Sequence, residues 1–197
     1  MGALAVEPLI EMVLVGNDVG AKLATDLLIE GGERSAAPLL AGALDGAPQR
    51  SRLRAVTALA GLAYAGEGEA GVVDRLVAVL SGDPAWICRV QAARSLVSRA
   101  DAAGEVVRVC GALSRGLVDP APSVQIACCR ALAELGDEQV VPALINHLER
   151  LVYSGAGLDR LRAVQAALGE LTRSSSSDLT PAEWREVWVG RRESRGG

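Results

Sequence analysis

Two ladders of similar segments run along the 197-residue chain at nearly the same interval. The first ladder is VEPLIEMVL, AAPLLAGAL, VVDRLVAVL, VVRVCGALS and VVPALINHL. It aligns on Pro8, Pro38, Asp74, Arg108 and Pro142, at intervals of 30, 36, 34 and 34. The second is KLATDLL, RLRAVTAL, RVQAARSL, QIACCRAL and RLRAVQAAL. It aligns on Ala24, Ala55, Ala92, Cys128 and Ala163, at intervals of 31, 37, 36 and 35. The string Arg-Leu-Arg-Ala-Val occurs at 52–56 and again at 160–164, displaced by 108, or three times 36. A period of this length marks a stacked array, in which one unit cannot cover its own apolar face and must pack on its neighbours.

The segments read as helices. Half of the residues are hydrophobic, but there is no Phe and few aromatics, so the apolar mass is Ala, Leu and Val. Ala and Leu favour helix, and the aromatic residues that favour strands are scarce. Proline at Pro8, Pro38 and Pro142 suits a first helical turn, where an unpaired N–H is normal. Turn signals separate the two helices of each unit: Gly16-Asn17-Asp18, Asp45-Gly46-Ala47-Pro48, Gly82-Asp83-Pro84, Asp119-Pro120-Ala121-Pro122 and Ser154-Gly155-Ala156-Gly157. Units end at Gly31-Gly32, Gly66-Glu67-Gly68, Asp101 and Gly136-Asp137. Small residues at the anchors let helices approach closely, and Leu59, Leu96 and Leu132 fill the space between layers. The chain is therefore expected to be all-α, with about five antiparallel helix pairs over 3–31, 34–66, 69–101, 102–136 and 137–172.

The stretch DPAPSVQIACCRALAELGD, residues 119–137, resembles a HEAT repeat of the PBS-lyase type, in which Asp-Pro, small residues and Ala-Leu-x-x-Leu-Gly recur. Asp83-Pro84 and Asp119-Pro120 match the turn. Arg52, Arg89 and Arg160 stand three before the anchor, where HEAT repeats place Arg, and Gln125 departs from that pattern. The resemblance covers residues 3–172. It implies a right-handed α-solenoid, an armadillo-type fold, and an Arg ladder reaching Asp45, Asp83, Asp119 and Asp159.

Beyond the array, RSSSSD reads as a linker and LTPAEWREVW as a capping helix, within a final segment 173–197 that ends in a flexible Arg/Gly tail. Thr180, Pro181 and Glu183 form a capping box with Pro at the first helical position. Trp184, Val187 and Trp188 make an apolar stripe at i, i+3 and i+4. That helix either covers the end of the array or docks on a partner, since Trp is favoured at interfaces.

Catalytic signatures are lacking: no phosphate loop, nucleophile elbow, zinc motif or dinucleotide fingerprint stands in the sequence. Cys88, Cys110, Cys128 and Cys129 lack paired zinc-site spacing and are expected to be buried, inert thiols. His147 is expected at the surface, and Tyr64 and Tyr153 as packing residues. No metal and no cofactor is expected. No apolar run is long enough for a membrane span, and the N-terminus lacks a secretory pattern, so the chain reads as soluble and cytoplasmic.

The polar positions of the second helices are the most informative for function. One residue before the anchor stand Arg54, Gln91, Ala127 and Arg162; two after it stand Thr57, Arg94, Arg130 and Gln165. These rows are three apart and share a helix face. The HEAT resemblance puts that face on the concave side, giving a groove that carries Arg54, Gln91, Arg94, Arg130 and Arg162. Arg suits carboxylate recognition. The net charge of −4 argues against nucleic acid as the partner. The expectation is a non-enzymatic protein–protein interaction module, a scaffold, adaptor or regulatory subunit, that holds an acidic segment of another protein. Trp86, alone in the turn SGDPAWICR, is a further candidate contact, with Trp184 and Trp188. The resemblance also allows an alkylpurine DNA glycosylase or a bilin-lyase relative, and a dedicated toxin-neutralising or assembly subunit would look the same in sequence.

Overall fold

A computed structural model describes residues 6–31, 35–62, 68–100, 104–176 and 178–196. Tyr64 and the unit-end signals at Gly32, Gly66, Glu67 and Asp101 lie outside them. Among the described residues there are eleven α-helices and no strand. The chain forms two compact units, Met1–Glu105 and Val106–Gly197.

Unit 1 holds α1 (Val6–Val15), α2 (Asp18–Glu30), α3 (Ala36–Gly42), α4 (Gln49–Gly61), α5 (Gly68–Gly82) and α6 (Trp86–Ala100). Successive helices pair as α1–α2, α3–α4 and α5–α6, and α4 lies against both α1 and α6. The anchors Ala24, Ala55 and Ala92 are fully buried, as are Leu59 and Leu96. A methyl at the anchor lets two helix backbones approach, while each buried leucine contributes roughly 1.5–3 kcal/mol by leaving water. Asn17 caps α2 by accepting from the Gly20 N–H at 2.8 Å. The C-terminal end of α4 is served by a buried arginine, Arg99, whose guanidinium donates to the Ala60 carbonyl.

Unit 2 holds α7 (Val106–Gly116), α8 (Pro122–Leu135), α9 (Val141–Tyr153), α10 (Leu158–Thr172) and α11 (Pro181–Gly196), with a short 3-10 turn at Glu138–Val140. α7 pairs with α8 and α9 with α10; α8 packs on α10, and α11 lies on α9 and α10. The anchor Cys128 is fully buried and Ala163 nearly so, with Leu132 buried beside them. α8 ends at Gly136, whose φ of 69° is the left-handed conformation that glycine adopts without steric cost.

Several residues depart from expectation. His147 is not at the surface: it is 2 % exposed, on the side of α9 that also buries Leu144, Leu148 and Leu151. Its Nε2 has no hydrogen-bond partner. Burial first, then the charges of Arg150 and Arg160, push its pKa down to about 4, so the imidazole stays neutral at neutral pH. Tyr153, expected to pack, is exposed. The C-terminal segment continues as helix through Gly196 rather than fraying into a flexible tail. Arg191 holds it down by donating to the Thr172 carbonyl at 2.9 Å and to Glu138 at 2.8 Å.

Candidate protein-binding surfaces

The turns between paired helices are tied by their aspartates and by arginines of the helices that follow them. Asp83 Oδ1 accepts from the Ala85 N–H, and Asp119 Oδ1 accepts from the Ala121 N–H, each at 2.8 Å. In unit 1, Arg52 grips Asp83 with two parallel bonds, Nε to Oδ2 at 2.8 Å and Nη2 to Oδ1 at 2.9 Å. Burial works to raise the Asp83 carboxyl, but hydrogen bonds from Arg52 and the Ala85 N–H hold it below the usual range. This is one rung of the ladder that the resemblance implies. Arg52 also donates to the Ala47 carbonyl at 2.7 Å, Arg89 to the Asp83 carbonyl at 2.7 Å, and Gln125 to the Asp119 carbonyl at 2.7 Å. Gln125 thus keeps the backbone contact of the arginine position while giving up its charge.

Beside the Arg52–Asp83 pair lies an open cavity of about 380 Å³, between the α3–α4 and α5–α6 turns. Leu44, Val79 and Pro84 supply its apolar wall, and Arg75 pairs with Asp45 at its rim at 3.2 Å. Its charges answer one another and leave no unmatched group for a ligand.

The second-helix rows divide into engaged and open residues. Arg54 is engaged: Nη1 donates to the Gly16 carbonyl at 2.7 Å and Nη2 to Asp18 at 2.6 Å. Asp18 also receives Arg50 at 2.5 Å, and the two guanidinium groups, Arg50 first, hold its carboxyl below the ordinary value. On α6 of unit 1, Arg94 is exposed and Gln91 half-buried. In unit 2, Ala127 is buried, whereas Arg130 on α8 and Arg162 on α10 are exposed on adjoining helices. Among the described residues, Arg94, Arg130 and Arg162 pair with no carboxylate. Gln165 turns inward: its Oε1 accepts from Trp184 Nε1 at 2.5 Å, and its Nε2 donates to the Leu179 carbonyl at 2.8 Å.

The three tryptophans differ. Trp184 is fully buried, Trp188 half-buried, and Trp86 is 49 % exposed at the start of α6. The capping box forms: Glu183 accepts from the Thr180 N–H and hydroxyl, both at 2.7 Å, which lowers its carboxyl pKa, and its own N–H donates to Thr180 Oγ1 at 3.3 Å. Arg185 adds a bond to Glu149 of α9 at 2.6 Å. Trp184 is therefore a packing residue of unit 2, and Trp86 is the most exposed of the three tryptophans.

All four cysteines are free and buried. Burial pushes the Cys110 thiol up to about 11 and Cys129 to about 12, and raises Cys88 and Cys128 as well. No group of residues among those described could hold a metal ion. No described helix is long and apolar enough to cross a membrane.

A family model described as HEAT repeats matches residues 73–169. No curated protein matches the chain. Among solved structures, the chain is similar to the complex of CpcE and CpcF of phycocyanin lyase from Nostoc sp. PCC7120. The identity is 21 % and the TM-score 0.67, covering 84 % of this chain and 99 % of that one. It is similar to the Escherichia coli protein YibA at 14 % identity and TM-score 0.62, over 96 % of this chain and 70 % of the other. An engineered protein matches at 19 % identity and TM-score 0.55, over 98 % of each chain. At these identities the solved structures speak to fold alone. With its paired helices, buried small anchors and the repeats matched over 73–169, the chain carries HEAT repeats and has the fold of a HEAT-repeat solenoid.

Proposed function

We propose that the chain is a non-enzymatic protein-interaction module that binds an acidic segment of a partner through the open arginines of its second helices. The observation that carries this reading is the contrast between arginines. Arg52 and Arg54 are locked to carboxylates and carbonyls of their own unit, while Arg94, Arg130 and Arg162 stand exposed without one. A guanidinium presents a planar fork of donors that fits a carboxylate, and a charge-assisted bond of this kind contributes about 1.5–3 kcal/mol. Trp86 supplies an aromatic contact of the sort that anchors interfaces. The similarity to a complex of two proteins favours a partnership with a second chain over action alone. That same similarity is what favours the second reading, one subunit of a two-protein lyase.

The experiment is affinity purification from the native host, followed by binding measurements with the recovered partner. Reversing Arg94→Glu and Arg130→Glu together leaves the thermal melt intact and weakens the partner by about a hundredfold. Binding of the partner by the unaltered chain weakens at higher salt. Unaltered affinity in the double variant removes the arginines from the interface. A recovered partner that carries a bilin and loses it in the presence of the chain favours the lyase reading.

A further inference from the structure

The outer side of the first helix pair is apolar and open. The inner side of this pair buries Ile10 and Val13 of α1 with Ala24 and Leu28 of α2. On the opposite side, Met12, Val15, Val19 and Leu23 are 45 %, 77 %, 79 % and 57 % exposed. Spacing makes them two stripes: Met12 and Val15 are i, i+3 on α1, and Val19 and Leu23 are i, i+4 on α2. The two-residue connection makes the helices antiparallel, so the stripes flank one seam. Met12 leans over that seam: a Cβ on Gly20 of α2 would sit 3.5 Å from Met12 Cγ and 3.6 Å from its sulfur. Gly20 therefore lets the Met12 side chain lie across the seam and join the two stripes into one apolar face.

The charge around this face is mostly negative. Glu7 and Glu11 of α1 and Glu30 of α2 are exposed and pair with no cation among the described residues. Asp26 has Lys22 at 3.6 Å, the only lysine of the chain. Asp18 is taken up by Arg50 and Arg54. Four carboxylates on these two helices thus stand against a single ammonium.

We propose that this face docks a basic amphipathic helix of another protein, with its apolar side on the stripes and its Lys or Arg residues toward Glu7, Glu11 and Glu30. An exposed apolar face along two helices is a surface that the apolar side of such a helix can cover. The acidic rim selects its charge, and it opposes self-pairing, because two copies meeting here would set carboxylate against carboxylate. The surface shares no residue with the open arginines and takes a partner of opposite charge.

The test uses the full chain and a labelled helical peptide of about 18 residues, with leucines at i, i+3, i+4 and i+7 flanked by lysines. A control peptide has glutamate in place of every lysine. Fluorescence anisotropy is expected to show saturable binding of the lysine peptide and binding at least about tenfold weaker for the control. Leu23→Asp is expected to weaken the lysine peptide about tenfold, as is Glu7→Lys with Glu11→Lys, with melting temperatures unchanged because these side chains are exposed. Equal binding of both peptides, or unchanged affinity in both variants, overturns the proposal. So does concentration-dependent dimerisation that Leu23→Asp abolishes, which would assign the face to a second copy.

Discussion

Replacing Ala92 by Asp unfolds unit 1. Ala92 is fully buried on α6, which packs on α4 and α5. Its methyl sets how closely these helices meet. Aspartate at that position adds bulk where close packing leaves no room, and it brings a carboxylate into an apolar contact. The cost is on the order of 4–5 kcal/mol or more, against a total stability of about 5–15 kcal/mol for a domain. Thermal melting followed by circular dichroism should show a fall of roughly 20 °C or more, or loss of the cooperative transition of that unit. Ala92→Ser, of nearly the same size and able to bond its own helix, should retain most of the stability. An unchanged melt for the aspartate variant would mean that the anchors are misassigned.

Removing the Trp184 side chain is the second large effect, and it falls on unit 2. Trp184 is fully buried, beneath a helix held by its capping box and by Arg185 and Arg191. Trp184→Ala leaves a cavity and strips Gln165 Oε1 of its donor, at a cost of about 3–5 kcal/mol. Trp184→Phe keeps much of the packing and loses the hydrogen bond, at about 1–2 kcal/mol. Urea denaturation of the two variants should rank them in that order. Equal and small losses would mean that α11 rests on unit 2 without contributing to its core.

The array was legible because close packing leaves its mark position by position. Ala24, Ala55, Ala92 and Cys128 had to be small wherever two helices meet, and the turns had to carry Asp, Pro or Gly. A ladder of small residues and turn residues therefore survives in a sequence whose other positions vary. Gln125 shows how much of that requirement is backbone chemistry: the departure from Arg removes a charge but keeps the bond to the Asp119 carbonyl.

The misreadings came from contacts distant in sequence, or from spacing not carried far enough. Arg54 lies in the right row for a binding face, but its partner Asp18 is 36 residues away and nothing local reveals the pairing. His147 did leave a signal. It stands three after Leu144 and four before Leu151, on the buried stripe of α9, and polarity alone suggested the surface. Arg191 is seven residues after Trp184, on the same face of α11, which places it over unit 2 rather than in a loose tail. The apolar stripes of α1 and α2 were likewise readable as spacing. That they face outward follows only once α3 and α4 are seen on the other side of α1.

The central physical claim is that slim side chains are sealed between helix layers, and the four cysteines report on it chemically. Cys128 occupies an anchor itself; Cys129 adjoins it, Cys88 lies on α6 and Cys110 on α7. Timed labelling of the intact chain with a thiol reagent near neutral pH should find all four unreactive while folded, since burial hides each sulfur and disfavours its thiolate. All four should react at once in denaturant. Rapid modification of Cys128 in the folded chain would contradict the account.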